Sequence, residues 1–364
     1  MKTAFLFGSL NRGGTETLML DICKNLQNKD FEAIGVYRKR GVLEEEFIKS
    51  GIPFYFVPTS KNRVKYLLNL RKIILSKKVD IIHAQQPIDA IYAKVACVGL
   101  RIKIVLTFHG FDYGSNTRLL SFISKRTDIN LFVSNYQKKY YTKKYKLNDK
   151  KQNVLYNGID FKKMQVKQHA VSIRQELKLS ENSLLLGMVG NFNEVRNQLF
   201  ICRFLKLLTD RNITFHFIFV GKRIDNMPHR YNECVNFCEK NRIMSKVSFL
   251  GVRNDVPDIL PQLDAFIYAT EHDTFGIAVV EAIAAGIPVF VNDWKVIKEI
   301  TENGKLATLY KTNQEIDLLE KFMVFLQNKN KHLENAQKSA MYIQEKYSIE
   351  KHIENLKAVY NSLA

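Results

Sequence analysis

Two carboxylates flanking a glycine turn are the residues of this chain best placed to do chemistry. Asp273 and Glu281 stand eight residues apart, on either side of Phe275-Gly276-Ile277. Glu281 is the only charge in the run from Phe275 to Ala285, which reads as an apolar helix stopped by Gly286. A carboxylate buried in such a helix is costly unless something satisfies it. The pair therefore points to a polar ligand held between the loop and the helix. The apolar runs Ala265 to Ala269 and Ile287 to Val291 flank this segment and read as buried strands. Strand, loop, helix and strand make a parallel-sheet unit, in which ligands sit at the carboxyl ends of strands against a helix N-terminus.

Two further groups have comparable settings. Gly13 and Gly14 lie between the strand Ala4 to Gly8 and the helix Thr15 to Leu26. Successive glycines there leave backbone N–H groups able to approach a phosphate, though a plain tight turn has the same composition. The spacing is not the G-x-G-x-x-G of a dinucleotide site. His109-Gly110-Phe111-Asp112 follows the strand Ile102 to Phe108, which puts His109 where ligand contacts or a loop-capping histidine are equally at home. The five cysteines, Cys23, Cys97, Cys202, Cys234 and Cys238, lack metal-ligand spacing and read as buried thiols suited to a reducing cytoplasm.

These groups need a scaffold, and the chain supplies one twice. Short apolar strands alternate with helices from residue 1 to about residue 160, and again from Leu184 through the segment that carries Asp273 and Glu281. This predicts two doubly wound α/β domains, in line with 364 residues and 46% hydrophobic content. The polar stretch Phe161 to His169 reads as the linker. Residues 1–165, joined by an amphipathic C-terminal helix over 348–364, form the first expected domain, and 166–347 the second. No apolar run is long enough to span a membrane, and the N-terminus lacks the apolar core of a signal peptide.

Charge is uneven. Residues 1–165 hold 30 Lys and Arg against 13 Asp and Glu, whereas the remaining 199 residues hold 25 against 23. A basic first half implies an acidic surface or ligand facing that half. Asn62 to Lys78 and Tyr136 to Lys151 are basic helices bearing leucines and tyrosines respectively, a composition that suits an anionic bilayer or a merely solvated face. No zinc-finger, RNA-recognition or helix-turn-helix signature accompanies them, so nucleic acid is not expected.

Taken in order, these motifs resemble the retaining glycosyltransferases of family 4, which carry two Rossmann-like domains facing a cleft (the GT-B fold). Gly13-Gly14-Thr15-Glu16 matches the N-terminal glycine loop of that family, Thr107-Phe108-His109-Gly110 its T-x-H-G segment, and Asn157-Gly158-Ile159-Asp160 its N-G-[IV]-D. Asp273 to Ala282 matches its E-x-F-G-x-x-x-x-E-A signature, with Asp in place of the first Glu. The resemblance implies a nucleotide-diphosphate sugar donor and a saccharide acceptor, and the basic first half fits an acceptor that is lipid-linked, as in bacterial surface-polysaccharide assembly. It implies that Glu281 holds the ribose and that Asp273 and His109 contact the donor sugar. N–H groups of Phe275, Gly276 and Ile277, together with Gly13 and Gly14, would bind phosphate or sugar hydroxyls. The family's G-R-x-x-x-x-K appears as Gly190-Asn191 to Arg196, so Arg196 keeps one diphosphate cation and Asn191 replaces the other. No D-x-D metal motif is present, and transfer without a metal or other cofactor is expected. The expected location is the cytoplasmic face of a membrane, peripherally bound. An inactive nucleotide-sugar-binding subunit and a GT-B epimerase are the alternatives.

Overall fold

Parallel strands buried on both faces must be apolar along their whole length and need a crossover between neighbours. Both conditions are met in the computed structural model, which describes residues 1–26, 31–59, 62–111, 117–164 and 172–363. The chain divides into two units, Met1–Ile159 with Tyr347–Ala364, and Asp160–Lys346. The linker read over Phe161 to His169 begins as a 3-10 turn at Phe161–Met164 and then leaves the described residues, as does Asp112.

The first unit runs β1 (Lys2–Phe7), α1 (Gly14–Asn25), β2 (Glu32–Tyr37), α2 (Glu44–Ile48), β3 (Phe54–Phe56), α3 (Arg63–Ser76), β4 (Ile81–Ala84) and α4 (Pro87–Ala96). It continues with β5 (Lys103–Phe108), α5 (Thr117–Arg126), β6 (Ile129–Phe132), α6 (Asn135–Tyr145) and β7 (Gln152–Val154). Its seven parallel strands are ordered β3-β2-β1-β4-β5-β6-β7. The order reverses between β1 and β4, which makes that crevice the topological switch point.

Strand alternation separates two cores. Ala4, Leu6, Ile82 and Leu106 face the layer of α3 to α6, where they meet Leu70, Ala93, Ile123 and Tyr141. Phe5, Phe7 and Val105 face α1 and α2. The C-terminal helix joins this second layer, seating Ile349, Ile353, Leu356 and Tyr360 in the first unit's core as its helical spacing requires.

The second unit runs α7 (Ile173–Glu176), β8 (Leu184–Val189), α8 (Gln198–Asp210), β9 (Phe215–Val220), α9 (Pro228–Lys240), β10 (Val247–Gly251) and α10 (Val256–Ile259). It continues with β11 (Ala265–Tyr268), α11 (Ile277–Ala284), β12 (Val289–Asn292), α12 (Lys295–Ile300), β13 (Thr308–Tyr310), α13 (Glu315–Gln327) and α14 (Lys329–Lys346). The last helix, α15 (Ile349–Asn361), returns to the first unit. Six parallel strands are ordered β10-β9-β8-β11-β12-β13, with the switch between β8 and β11. The two sheets are the doubly wound pair that the alternation of strands and helices requires.

Two helices differ from their sequence reading. α6 ends at Tyr145 instead of running to Lys151, and its aromatics point inward. Tyr141 and Tyr145 are buried, and Tyr136 and Tyr140 pack edge-on against Phe111. Of these tyrosines Tyr141 and Tyr145 are core residues, and Tyr136 and Tyr140 are half-buried. α11 begins at Ile277, not Phe275, because Gly276 takes the left-handed conformation with φ +86°. A left-handed residue cannot continue a right-handed helix. At the other end Gly286, φ +73°, stops the helix as expected.

Candidate active site

The switch point of the second unit gathers the residues singled out there. β11 delivers Tyr268 at its last position, and the loop that follows turns Asp273 back onto it. The Tyr268 hydroxyl donates to Asp273 Oδ2 at 2.6 Å. Arg196, from the loop after β8, places Nη2 3.4 Å from the same oxygen and Nη1 3.4 Å from Thr270 Oγ1. Its guanidinium also lies over the Tyr268 ring, 5.2 Å from the centroid. Burial opposes the charge of Arg196, yet Asp273 and Tyr268 beside it hold its pKa above the usual value. Burial, with Asp273 adding to it, raises the Tyr268 phenol well above its ordinary range. That phenol is a permanent donor here.

Backbone bonds fix the loop that carries Arg196. Glu271 N–H donates to Val195 O at 3.0 Å and Thr270 Oγ1 to the same carbonyl at 2.7 Å. Asn292, at the end of β12, accepts from Thr270 N–H and donates to Thr270 O. Trp294 donates from Nε1 to Asp273 O at 2.9 Å, closing the Asp273 turn from the far side.

α11 starts at this cluster. A Cβ on Gly276 would stand 3.6 Å from Asp273 Oδ2, so the carboxylate lies against the helix N-terminus. With the helix opening at Ile277, Phe275 and Gly276 precede it. Ile277 and Ala278 are then the residues whose N–H groups lack an intrahelical acceptor. Phe275 is buried. Glu281 lies one turn into α11 and is half-buried instead of enclosed. Its desolvation cost is smaller than the apolar sequence around it suggests.

Asn191 does not join this group. Its side-chain Oδ1 accepts from Lys222 N–H at 2.8 Å, and its backbone carbonyl accepts from Gln198 Nε2. It ties the ends of β8 and β9 together. Arg196 is the cation that remains, and its Nε, at 3.3 Å from the position of a Cβ on Gly190, shows how closely it crosses that bare backbone.

The first unit holds the other candidates at its own carboxyl edge. His109 follows β5 and is half-buried, with Nε2 2.9 Å from Gln85 Oε1. With that oxygen accepting, the ring proton is on Nε2 and Nδ1 is the acceptor side. Burial, reinforced by His352, pushes the pKa of His109 down to about 3, so the imidazole is neutral. Gly13 and Gly14 open α1, but the carboxylate of Glu16 folds over the turn. A Cβ on Gly13 would meet Glu16 Oε2 at 2.5 Å. Burial raises the pKa of Glu16, against a lowering by its own backbone N–H. An anion approaching this glycine turn meets a carboxylate already there.

At the switch point itself Gly8 follows β1, where a Cβ would stand 3.0 Å from Gln86 Oε1 and 3.2 Å from Arg38 Nη2. Arg38 pairs with the fully buried Asp89 at 2.8 Å. Gln85, Gln86 and Arg38 were not apparent as a group in the sequence, although each lies within two residues of the end of a strand of this sheet. Tyr268 and Trp294 carry the same signal in the other unit.

Two parallel doubly wound sheets, with acidic and basic side chains converging at a helix N-terminus, match the architecture of GT-B glycosyltransferases. Family models match along nearly the whole chain: Glycosyltransferase Family 4 over residues 12–163 and Glycosyl transferases group 1 over residues 171–342. The protein belongs to this family of glycosyltransferases. Among its relatives is the UDP-Gal:alpha-D-GlcNAc-diphosphoundecaprenol alpha-1,3-galactosyltransferase of Escherichia coli, 25% identical over 77% of this chain and 76% of the relative. The O-antigen biosynthesis glycosyltransferase WclY of Escherichia coli is 22% identical over 100% of this chain and 99% of its own. The Anabaena protein HepE, solved in complex with UDP and glucose, superimposes with a TM-score of 0.86 at 19% identity, covering 100% of both chains.

Proposed function

We propose that this glycosyltransferase moves a hexose or hexosamine from a nucleotide-diphosphate sugar to a saccharide acceptor carried on a lipid, with retention at the anomeric carbon, in surface-polysaccharide assembly. The observation that carries the reading is the Arg196–Asp273–Tyr268 cluster at the N-terminus of α11, with Glu281 one turn further along. Arg196 offers a planar donor to a diphosphate, the helix N-terminus adds its partial positive charge, and Glu281 accepts from ribose hydroxyls. Asp273 accepts from hydroxyls of the sugar, and the neutral His109 is the first unit's own candidate for accepting from a saccharide hydroxyl. The relatives named above, one acting on UDP-Gal and a lipid diphosphate and one binding UDP, support this donor and acceptor class.

In the reaction the bond from the anomeric carbon to the diphosphate oxygen breaks as the acceptor oxygen bonds to that carbon from the same face. The acceptor's proton passes to the departing phosphate oxygen, and the nucleoside diphosphate leaves. Arg196 and the N–H groups of Ile277 and Ala278 stabilise the charge that grows on the leaving group, without a metal or other cofactor. The protein would work at the cytoplasmic face of a membrane, bound peripherally.

Titration with UDP-, GDP- and ADP-hexoses, followed by the fluorescence of Trp294, the chain's one tryptophan, tests the donor site. Glu281→Ala and Arg196→Ala are each expected to weaken donor binding by about tenfold or more, from the ~1.5–3 kcal/mol of a charge-assisted hydrogen bond. Unchanged affinity in both variants removes the assignment. Release of nucleoside diphosphate with a polyprenyl-diphosphate sugar as acceptor then separates transfer from binding alone, the behaviour of an inactive subunit.

A further inference from the structure

We propose that the outer faces of α3, α4 and α5 form a single docking surface for an anionic phospholipid bilayer, with Leu119 and Phe122 as the inserted residues. The proposal rests on the peripheral membrane location given above and names the surface responsible for it.

The three helices lie side by side on one face of the first sheet. Each buries one stripe in the same core and leaves apolar residues on the opposite stripe. On α3 these are Val64, Leu68 and Leu75, with Leu68 62% exposed. On α4 these are Ile88 and Val95, and on α5 Leu119 and Phe122, the latter 47% exposed. Scattered exposed leucines need no explanation, but apolar residues repeated on three adjacent helices do. Among the described residues the same helices carry eight Lys and Arg and a single acid. That acid, Asp89, is fully buried against Arg38 and does not reach this surface.

α5 is the most developed part. The guanidinium of Arg126 lies 3.7 Å from the Phe122 ring centroid, so a cation and an aromatic are held at one level. An open groove of about 560 Å³ runs beside it, lined by Arg118, Phe122, Lys125, Arg126, Lys144 and Tyr145. Its size and cations suit a phospholipid headgroup phosphate, and Phe122 suits the glycerol level, where rings and long basic side chains settle at membrane interfaces. α6 contrasts with this. It is equally basic, yet its tyrosines are buried or packed on Phe111, and its exposed Lys139 and Lys143 have no exposed apolar neighbour on the same helix.

A second copy is a poor occupant. A two-fold contact would set these cations against one another.

The test is flotation of the full chain with vesicles of phosphatidylglycerol and phosphatidylcholine, and with phosphatidylcholine alone. The wild type is expected to float with the anionic vesicles and to lose that binding at high salt. Lys125→Glu with Arg126→Glu is expected to lower partitioning by at least about thirtyfold, the loss of two interfacial cations alone, and Leu119→Asp with Phe122→Asp is expected to lower it by at least about tenfold through lost apolar insertion and added anions. Lys139→Glu with Lys143→Glu on α6 is expected to change it by less than about fivefold, one interfacial cation. Donor binding by each variant at wild-type affinity shows that it folds. If the α6 pair loses as much as the α5 pairs, or the α5 variants float like wild type, this surface is wrong while membrane association stands. A wild type that never floats removes the membrane reading itself. A concentration-dependent dimer of the wild type, abolished by Phe122→Asp, would assign the surface to a second copy and overturn the proposal.

Discussion

Asp273 depends on three neighbours that the sequence keeps far apart. Arg196 is 77 residues before it, Tyr268 five before and Trp294 21 after. The side chains of Arg196 and Asp273 are 18% and 10% exposed, so solvent screens the pair only partly. Removing one member leaves the other charge poorly compensated. Arg196→Ala is expected to destabilise the second unit by ~1–3 kcal/mol in denaturant unfolding. The double variant Arg196→Ala with Asp273→Asn should cost less than the two single changes summed. Strict additivity would mean that the pair is not coupled. Tyr268→Phe keeps the ring under Arg196 and removes only the 2.6 Å donor to Asp273. It is expected to cost ~1 kcal/mol, and a larger loss would show that the hydroxyl holds more than this one oxygen. At this scale the sequence revealed the charged residues but not their partners. Spacing along a motif exposes Asp273 and Glu281, whereas Tyr268 and Gln85 look like ordinary strand-end residues until the sheet order places them.

Helix boundaries show a different kind of legibility. All strands but the short edge strand β13 (Thr308–Tyr310) could be read from apolar runs, because a buried parallel sheet forces them to be continuous. The start of α11 could not, because Phe275 and Gly276 continue the apolar pattern while the backbone turns left-handed at Gly276. Nothing in hydropathy marks that change. For α6, composition suggested a surface role for tyrosines that the helix in fact turns inward, and only the packing of Tyr141 between Phe108, Phe132 and Tyr145 shows it. Gly276→Ala tests the turn. It requires φ +86° of a residue with a Cβ, and that Cβ would stand 3.0 Å from Ile297 Cδ1 and 3.2 Å from Ile300 Cδ1. The change is expected to cost ~1–2 kcal/mol in stability. It should also weaken donor binding, since the N–H groups that open α11 shift with the turn. Wild-type affinity in a destabilised Gly276→Ala protein would separate the helix start from the ligand.

Over the whole molecule, buried histidines give the two units different responses to acid. In the first unit His83 lies between Tyr360 OH at 2.7 Å and Thr107 Oγ1 at 2.6 Å, and His352 Nδ1 donates to Tyr156 O at 2.6 Å. They join β4, β5 and the segment after β7 to α15. Burial, with His109 and His352 nearby, pushes His83 down to about 3, and burial pushes His352 down to about 4 against the pull of the Tyr156 carbonyl. Cys23, buried beneath Tyr360, supplies no countercharge, because burial holds it as a neutral thiol. The sign follows from proton counting. An unfolded histidine binds its proton below about pH 6.5 while the folded one does not, so their stabilisation is complete above that value. It falls as pH drops from about 6.5 toward the folded values, by up to ~1.4 kcal/mol per pH unit for each histidine. In the second unit His216 and His332 are also lowered by burial, but both are half-buried and charge at less cost. Trp294 belongs to that unit, so its fluorescence follows the second unit alone, whereas far-ultraviolet circular dichroism follows both. Between about pH 7 and pH 5 the dichroism transition is expected to move to lower denaturant and separate from the tryptophan transition. His83→Asn, which cannot charge, should flatten that movement even if it lowers stability at neutral pH. Dichroism and fluorescence transitions that stay superimposed across the range, or a His83→Asn protein with the wild-type slope, would mean that these histidines do not set the acid limit of the first unit.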